Sequence, residues 1–488
     1  MQFNVLTDPW IPVKDESGGI KKLGIMPLLK EAHHYREVSD VLPIYEYGIY
    51  RLLFTFLMDA YRPEDDDDIW DLYDEGRFDP DKLEDYVVDC EKEGASFDLF
   101  DPDRPFMQVP LSSWEDDKAK KPIAYLNPTL PTGNNHIHFD HRLQQDITMT
   151  CDEAVKALCS VNLFCTSMKM GRNHQYPSGI NGTPPIYAVI KGKNLFETLV
   201  YGMMPISDYE NYADPGPFWR WQGQVESEKK IPKTSLLFGL TFPARKITLI
   251  PSETQELSEI YYSAGMNFFG YDSWRDPNVT YMESKKGRVS LKPSVDKEPW
   301  RNLGSIYDAQ NSAPDVVKQF IALYGDSENY IHLNTYSVVT ENAKYVDLQK
   351  GEYVLAKTIV ENGNRMDTLK EMLAYVEDRQ KQLAKAINQL AKSVKKDSDQ
   401  GSVKAEKKNV TTLYYAKCQN IFLNQVCVEL AGKIEGLDAL VNKWQGEIRK
   451  TMLSNYDRFV DLMDLKGDGL MEAEKIKIKI LFGKGGRK

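Results

Sequence analysis

The chain has 488 residues, 42% of them hydrophobic, and a net charge of −11. This profile is typical of a globular protein with enough chain for about three domains, and it excludes wholesale disorder, collagen and coiled-coil fibre. No apolar run approaches the roughly 18 residues that cross a bilayer, and no export signal is visible at the N-terminus. We therefore expect a cytoplasmic protein with no membrane partner.

Charge is distributed unevenly along the chain. Between Asp59 and Asp103 there are 19 acidic and 4 basic residues, a local charge of −15, so the remainder carries +4. From Arg365 to the end, 24 basic residues stand against 17 acidic ones, a balance of +7. This asymmetry favours one end that faces phosphate. The acidic block is a solvated surface, a dock for a basic protein, or a patch that keeps nucleic acid away.

The N-terminal part shows both strand and helix patterns. Phe3 to Val13 alternates apolar and polar residues, which predicts a short strand running into a rigid turn at its prolines. Tyr45 to Tyr61 is dense in apolar residues and predicts a buried helix, and Trp70 to Cys90 predicts further helix. Six prolines between Asp101 and Pro131 favour loop.

The middle of the chain begins with a helix signal. Thr150 and Glu153 have the spacing of a capping box, so a helix is predicted to begin there. Further along, strands are predicted around Ile186 to Ile190, Ser235 to Phe242, Ile247 to Ile250 and Ile331 to Val339.

The last quarter of the chain differs in kind. Apolar residues recur at helical spacing from Met366 to Val394 and from Leu437 to Met463, with a further helix over Val410 to Leu430. The lysine-rich stretch 395–409 is predicted to be a turn between helices. The sequence therefore predicts an α+β fold, with a large mixed α/β N-terminal body (1–362) followed by a C-terminal antiparallel helical bundle (365–488).

One short segment carries the pattern of a metal site. His136, His138, Asp140 and His141 gather three of the seven histidines. Imidazole and carboxylate groups bind divalent metals, but a polar loop of this kind equally suits contact with nucleic acid or a partner, or plain loop structure. An alternative function is therefore a metal-dependent nuclease or phosphoesterase that uses this cluster with acids from Asp65 to Asp68. The chain contains neither a P-loop nor the common hydrolase motifs.

Several segments, taken in order, resemble a known family. They are FNVLTDPWIPV (Phe3 to Val13), RPFMQV (Arg104 to Val109), LPTGNNHIHFDH (Leu130 to His141), SGINGTPPIYAVIKG (Ser178 to Gly192) and the C-terminal helical bundle. As a set they are similar to the large subunit (CasA type) of the type I-E CRISPR surveillance complex, Cascade.

The resemblance implies a noncatalytic subunit with no cofactor that serves antiviral defence. Such a subunit recognises the protospacer-adjacent motif (PAM) in double-stranded DNA, helps open the duplex and recruits the helicase-nuclease. Its implied partners are the 5′ handle of the guide RNA, double-stranded target DNA, the other Cascade subunits and the helicase-nuclease effector. A third possibility is a purely architectural subunit that makes no DNA contact.

The resemblance also implies which residues bind nucleic acid. The loop toward the guide RNA corresponds to Leu130 to Phe139, and the loop that inspects the PAM corresponds to Gly171 to Gln175, where Gly171 is the one glycine. The family's glutamine wedge has no glutamine counterpart, and its place falls to Asn329 and Tyr330, although Tyr330 as a core residue is an alternative. The implied residues are Asn134, Asn135, His136, Phe139, Gly171, Arg172, Asn173, His174, Lys285, Lys286, Asn329, Tyr330, Lys395, Lys396, Lys407 and Lys408.

Overall fold

A computed structural model describes residues 1–115, 117–130, 147–170, 174–209, 214–227, 229–253, 256–270, 273–285, 287–295, 297–325, 328–341, 344–394, 400–432 and 436–482. The chain divides into two compact units, Met1–Val354 (unit 1) and Leu355–Lys488 (unit 2). The boundary predicted around Gly363 lies at the first residue of a long helix, whereas the two compact units divide earlier, between Val354 and Leu355. Among the described residues, no helix has the length and apolar character needed to cross a membrane.

Unit 1 contains short strands distributed along its whole length. In chain order they are β1 (Ile11–Asp15), β2 (Ile20–Leu23), β3 (Tyr35–Val38), β4 (Lys120–Pro122), β5 (Met149–Thr150), β6 (Met168–Met170), β7 (His174–Tyr176), β8 (Tyr187–Ile190), β9 (Lys230–Ile231), β10 (Arg245–Leu249), β11 (Glu256–Leu257), β12 (Glu259–Ala264), β13 (Asn267–Phe268), β14 (Tyr281–Ser284), β15 (Gly287–Ser290), β16 (Tyr330–Glu341) and β17 (Lys344–Ala356), the last of which crosses the boundary.

Helices are interspersed in unit 1 and dominate unit 2. They are α1 (Ile25–Lys30), α2 (Pro43–Tyr61), α3 (Asp66–Glu75), α4 (Pro80–Lys92), α5 (Cys151–Phe164), α6 (Leu195–Tyr201), α7 (Leu236–Leu240), α8 (Leu303–Ile306), α9 (Asp315–Tyr324), α10 (Lys357–Val360), α11 (Gly363–Val394), α12 (Gln400–Ile421), α13 (Cys427–Ala431), α14 (Leu437–Leu462) and α15 (Asp468–Ile476).

The strands form several small sheets instead of one large one. Three sheets have three strands each, in the orders β2-β1-β3, β10-β12-β4 and β17-β16-β8, and β6–β7 and β14–β15 are separate antiparallel pairs. Strand β16 pairs antiparallel with β8, with Leu333 opposite Ile190. The β6–β7 and β14–β15 hairpins are therefore not part of the three-stranded sheets.

The core of unit 1 is built on α2 and α5. Helix α2 begins with Pro43 in its first turn, and its residues from Ile44 to Asp59 are all buried, as expected for a helix that is apolar on most faces. Helix α5 begins with the predicted capping box of Thr150 and Glu153. Gly48 lies where the two helices meet, and a Cβ atom there would stand 2.7 Å from Ser160 Oγ. The absence of a side chain at this position allows the close approach.

The acidic block forms helices α3 and α4. Asp65 caps α3 by accepting hydrogen bonds from the backbone N–H groups of Asp67 and Asp68. Acidic residues in a first helical turn stabilise the positive end of the helix dipole. The acids of the nuclease alternative, Asp65 to Asp68, therefore form the N-cap and first turn of α3. The same helix buries Ile69 and Leu72.

Unit 2 is a bundle of long helices. Asn388 on α11 accepts a hydrogen bond from Lys407 on α12, while Val376 accepts one from Tyr414, so α11 and α12 run antiparallel. The hydroxyl of Tyr456 on α14 donates to the Ala473 carbonyl on α15 at 3.0 Å. Trp444 and Tyr456 are fully buried in the bundle core.

The structure confirms the α+β fold class and the C-terminal helical bundle. The buried helix over Tyr45 to Tyr61 and the strand over Ile331 to Val339 are also confirmed. The strand predicted over Ser235 to Phe242 is wrong, because Leu236–Leu240 forms α7. At the N-terminus the order is reversed: the chain turns first, and strand β1 follows from Ile11.

The turn predicted at 395–409 is wrong from residue 400 onward. Helix α12 begins at Gln400, so Lys407 and Lys408 stand on a helix and not in a turn. The same helix continues through Val410 and Tyr414, which are buried. The lysines therefore belong to the polar surface of an amphipathic helix.

Candidate nucleic-acid interface

Part of the predicted interface lies outside the described residues. This is so for the predicted guide-RNA loop and for the histidine cluster around His136. The predicted site residues concerned are Asn134, Asn135, His136, Phe139, Gly171, Arg172, Asn173, Lys286, Lys395 and Lys396.

The segment predicted to inspect the PAM is carried by the β6–β7 hairpin. Strand β6 pairs antiparallel with β7, with Met168 opposite Tyr176 and Met170 opposite His174. Gln175 also donates to Ser167 Oγ across the hairpin at 3.4 Å. The predicted residues 171–173 therefore connect the two strands of a hairpin, and His174 is the first residue of β7.

The loop that follows this hairpin is held by a buried polar network. Asn181 donates to Asp276 Oδ2 at 2.7 Å and accepts from Trp274 Nε1 at 2.7 Å. Asp276 also forms an ion pair with Arg51 of α2 at 2.7 Å, and both side chains are almost completely buried. Because Asp276 bonds to both Asn181 and Arg51, the network joins the loop to α2.

Lys285 stands at the turn of the β14–β15 hairpin. Gly287 has φ of +95°, which favours glycine, and Ser284 Oγ donates to its carbonyl at 2.6 Å. Lys285 is exposed, and Arg288 of β15 lies 4.8 Å from the centre of the Tyr281 ring. The hairpin thus presents a cation at its tip, as predicted.

Asn329 and Tyr330 lie at the start of β16 and are both exposed. The alternative in which Tyr330 is a core residue is wrong, because 53% of this residue is exposed. Tyr330 lines a cavity of about 560 Å³ whose lining carries both positive and negative side chains. The charged lining residues are Arg36, Lys191, Lys193, Glu37, Glu197, Glu328 and Glu352. Glu328 pairs with Lys193 at 2.6 Å, and this hydrogen bond raises the pKa of the Lys193 ammonium.

An exposed tyrosine beside cationic groups suits nucleic acid. A base stacks on the ring, while the cations attract the phosphate backbone. Tyr330 supplies an exposed ring at the start of the central strand β16, and the adjacent cavity is lined by both cations and carboxylates.

A row of lysines follows one face of α11. Lys381, Lys385 and Lys392 are exposed and line a shallow groove of about 560 Å³, whose described lining contains no acidic side chain. Their spacing of four and seven residues places them along one helix face. Asp378 lies 3.4 Å from Lys381 at the surface, a contact of small energetic value.

Lys407 and Lys408 belong to the neighbouring helix α12. Lys407 donates to Asn388 Oδ1 at 2.9 Å, and Asn388 also lines the groove on α11. Lys408 is exposed. The structure therefore brings Lys407 to the groove, although the sequence alone assigned it to a turn.

Sequence reasoning missed Lys381 and Lys385. The signal was present, because both lie in register with Lys392 on the predicted helix from Met366 to Val394. Sequence reasoning also missed Arg245, which bonds to both ends of the β6–β7 hairpin. That contact joins residues far apart in sequence and leaves no local pattern.

Within the described part of the chain, no group of three or more His, Cys, Asp or Glu side chains has the arrangement of a metal site. The predicted histidine cluster falls outside that part.

Solved structures of CRISPR-associated proteins share this fold. Thermus thermophilus CasA matches with a TM-score of 0.79 and 22% identity over 99% of this chain and 100% of that one. Thermobifida fusca Cse1 matches with a TM-score of 0.77 and 19% identity over 98% and 97%. A chain of a CRISPR RNA-guided surveillance complex matches with a TM-score of 0.77 and 17% identity over 99% and 100%. The fold is therefore that of the CRISPR-associated large subunits.

The sequence comparison identifies the family. The model of CRISPR-associated protein Cse1 matches residues 4–454, and the chain belongs to this family. A CasA/Cse1 protein of Thermus thermophilus is 26% identical over 428 residues, which cover 82% of this chain and 80% of the relative. The resemblance to the Cascade large subunit is thereby confirmed.

Proposed function

We propose that this chain is the noncatalytic DNA-recognition subunit of a cytoplasmic type I-E CRISPR surveillance complex. It recognises the PAM in double-stranded DNA, helps open the duplex and recruits the helicase-nuclease. The observation that carries the proposal is the match to the Cse1 family over residues 4–454. In such a complex, guide pairing reads the long sequence, so the protein needs only to test a few base pairs and hold the strands.

The first step is assembly on the guide RNA. Asn134, Asn135, His136 and Phe139 contact the 5′ handle and the neighbouring subunits in this proposal. Amide and imidazole groups form hydrogen bonds with RNA, and an aromatic ring stacks on an unpaired base.

The second step is inspection of the PAM. In this proposal, Arg172 and Asn173 contact a groove of the duplex, and Gly171 allows close approach. Lys285 and Lys286 contribute from the tip of the β14–β15 hairpin. Support comes from the hairpin pairing on both sides of 171–173 and from the exposure of Lys285.

The third step is opening of the duplex. Tyr330 stacks on a base at the point of separation, and Asn329 bonds to a base edge. The exposure of both residues supports this role. The displaced strand then follows the lysines of unit 2, where Lys381, Lys385 and Lys392 add to the predicted lysines on both sides of the α11–α12 connection.

The proposal is tested by measuring the affinity of the assembled complex for duplexes that differ only in the PAM. Replacing Arg172 and Asn173 with alanine is expected to change the ranking of these duplexes, because base-edge contacts carry discrimination of about 1–3 kcal/mol each. The variant K118A/K121A, at one exposed and one half-buried position of another segment, serves as the control. An unchanged ranking in the Arg172 and Asn173 variant contradicts PAM inspection by the hairpin.

The nuclease alternative is tested with the isolated chain. We expect no cleavage of DNA or RNA with Mg²⁺ or Mn²⁺. Stoichiometric bound metal, together with cleavage that disappears when His136, His138 and His141 are replaced, would establish the enzyme instead.

A further inference from the structure

Both ends of the β6–β7 hairpin meet one buried side chain. Thr166 precedes β6 and Pro177 follows β7. The guanidinium of Arg245, at the start of β10, donates through Nη2 to the Thr166 carbonyl at 2.9 Å and through Nη1 to the Pro177 carbonyl. One planar group therefore joins the two chain segments at the point where the hairpin leaves the body.

The remaining donors of Arg245 fix the guanidinium itself. Nε donates to the hydroxyl of Tyr262 at 2.9 Å, and Nη1 also donates to the carbonyl of Ala244. The backbone N–H of Arg245 donates to Asn162 Oδ1 at 2.8 Å. A guanidinium with several occupied donors in one plane has little freedom to rotate.

The charge of Arg245 has an uncommon setting. Arg245 is 2% exposed, and the acceptors that the described structure gives its side chain are carbonyls and a phenol, with no carboxylate among them. Burying a charge without an opposite charge is costly unless its hydrogen bonds are well satisfied. A neutral side chain would fill the space without this desolvation cost. We therefore attribute the arginine to the bonds that it forms with the carbonyls of Thr166 and Pro177.

Aromatic rings extend the same attachment to β7. The ring of Tyr176, the last residue of β7, stacks on Tyr262 with centroids 5.9 Å apart and planes 16° apart. The Arg245 guanidinium lies 5.5 Å from the centre of the Tyr176 ring. Gly179 further donates its N–H to the carbonyl of Cys165, so the two sides of the hairpin base are also bonded to each other.

Small movements at this base are amplified along the hairpin. The four steps along the chain from Thr166 to Met170 span at most about 13 Å at ~3.3 Å per step. A tilt of about 5° at the base therefore shifts the end of β6 by about 1 Å, and hydrogen bonds to base edges weaken over such a distance.

We propose that Arg245 is a positioning residue for DNA discrimination: by joining the carbonyls of Thr166 and Pro177, it fixes the direction in which the hairpin meets the duplex. The inference rests on the proposed function, in which residues 171–173 of this hairpin inspect the PAM. Arg245 does not touch DNA; it acts through the hairpin.

The test uses the assembled complex with Arg245→Gln and Arg245→Lys, and measures dissociation constants for a favoured PAM, a disfavoured PAM and a duplex without target sequence. Both variants are expected to reduce the ratio of the dissociation constants for the disfavoured and favoured PAM duplexes by about tenfold, which is the size of one lost base contact. Lysine keeps the charge but lacks the planar fork, so it is expected not to rescue. Affinity for the duplex without target sequence is expected to stay unchanged, since phosphate contacts are retained.

A milder variant keeps the test decisive if glutamine or lysine prevents folding. Tyr262→Phe retains Arg245 and both rings but removes the oxygen that accepts from Nε, and a narrowing of about threefold in the PAM ratio is expected. An unchanged ratio in Tyr262→Phe, when the other variants do not fold, overturns the inference. The matched control is Arg220→Gln, because Arg220 pairs with Asp59 and Glu93 and shares none of the contacts of Arg245 described above.

The outcomes separate this inference from the proposed function. If alanine at Arg172 and Asn173 changes the PAM ranking but Arg245→Gln leaves the ratio intact, the positioning role is overturned and PAM inspection stands. If the alanine variant has no effect on the ranking, PAM inspection by the hairpin fails, and the role of Arg245 fails with it. Equal narrowing in Arg220→Gln marks a general loss of structure and also overturns the inference.

Discussion

Two arginines of unit 1 and the groove lysines of unit 2 stand in opposite environments. In unit 1, Arg51 and Arg245 are buried and bonded to a carboxylate or to carbonyls beside the segments that follow α5. In unit 2, Lys381, Lys385 and Lys392 stand exposed along one helix face. Buried cations fix geometry and are little affected by salt, whereas exposed cations attract phosphate over a distance and are screened. This difference fits the proposed function, in which unit 1 chooses a duplex and unit 2 holds a strand.

The largest effect in this comparison of buried and exposed ion pairs is expected from replacing Arg51. Arg51→Ala leaves the carboxylate of Asp276 buried without its cation, and a loss of about 3–5 kcal/mol in the free energy of unfolding of unit 1 is expected. Chemical denaturation of the full chain, followed by fluorescence and circular dichroism, measures it. Asp378→Ala removes the exposed partner of Lys381 and is expected to cost less than about 1 kcal/mol. Similar losses in the two variants would contradict the distinction between the units.

The lysines of unit 2 are expected to act on binding and not on stability. Replacing Lys381, Lys385 and Lys392 with alanine is expected to reduce the slope of log affinity against log salt concentration by about 2–3, at roughly 0.7–0.9 per phosphate contact. Filter-binding or anisotropy titrations of the assembled complex at several salt concentrations measure the slope.

A matched triple variant controls for net charge. Lys443, Lys450 and Lys477 lie on other parts of unit 2, and each pairs with a carboxylate. Their replacement with alanine removes the same charge and is expected to leave the slope almost unchanged. An equal reduction in both triple variants would show that net charge, and not the groove on α11, determines binding.

A smaller effect is expected from pH at Glu46 of α2. Glu46 is 1% exposed, and burial raises its pKa above the usual 4.5 despite the hydrogen bond from Tyr336 and the ion pair with Lys350 at 3.0 Å. The folded chain thus holds this proton more tightly than the unfolded chain. Its stabilising contribution is complete below pH 4.5 and is lost as the pH rises through the folded pKa.

Glu46→Gln removes this pH dependence. The free energy of unfolding of the variant, relative to the unchanged chain, is expected to rise with pH above 4.5, by at most about 1.4 kcal/mol per pH unit. Glu352→Gln alters an exposed carboxylate that also contacts Lys350, at 3.3 Å, and serves as the control. A relative stability of Glu46→Gln that does not vary with pH would show that Glu46 does not titrate as described.

Local signals in the sequence were sufficient for the long helices. The capping box at Thr150 and the apolar run of α2 identified both core helices, because these signals act within one or two turns. The stretch from Ser235 to Phe242 was predicted to be a strand but contains a helix, because a short apolar run fits either structure equally well. Its outcome depends on Trp274, which packs so closely on Gly239 that a Cβ there would stand 2.2 Å from the ring.

The candidate interface was less accessible to sequence reasoning. Lys285 and Tyr330 were named through family resemblance, and the structure adds their exposure. Arg245 could not be found this way, because it bonds to residues 68 and 79 positions earlier in the chain. Such contacts depend on how distant segments come together, and a single sequence, read by itself, carries no sign of them.

The close approach at Gly48 has a mechanical consequence. Without a side chain to hold α2 away from Ser160, the backbones of α2 and α5 pack tightly and resist sliding past each other. The two helices therefore form a stiff pair at the centre of unit 1, and we expect movement within this unit to occur in the hairpins and loops before it occurs between these helices.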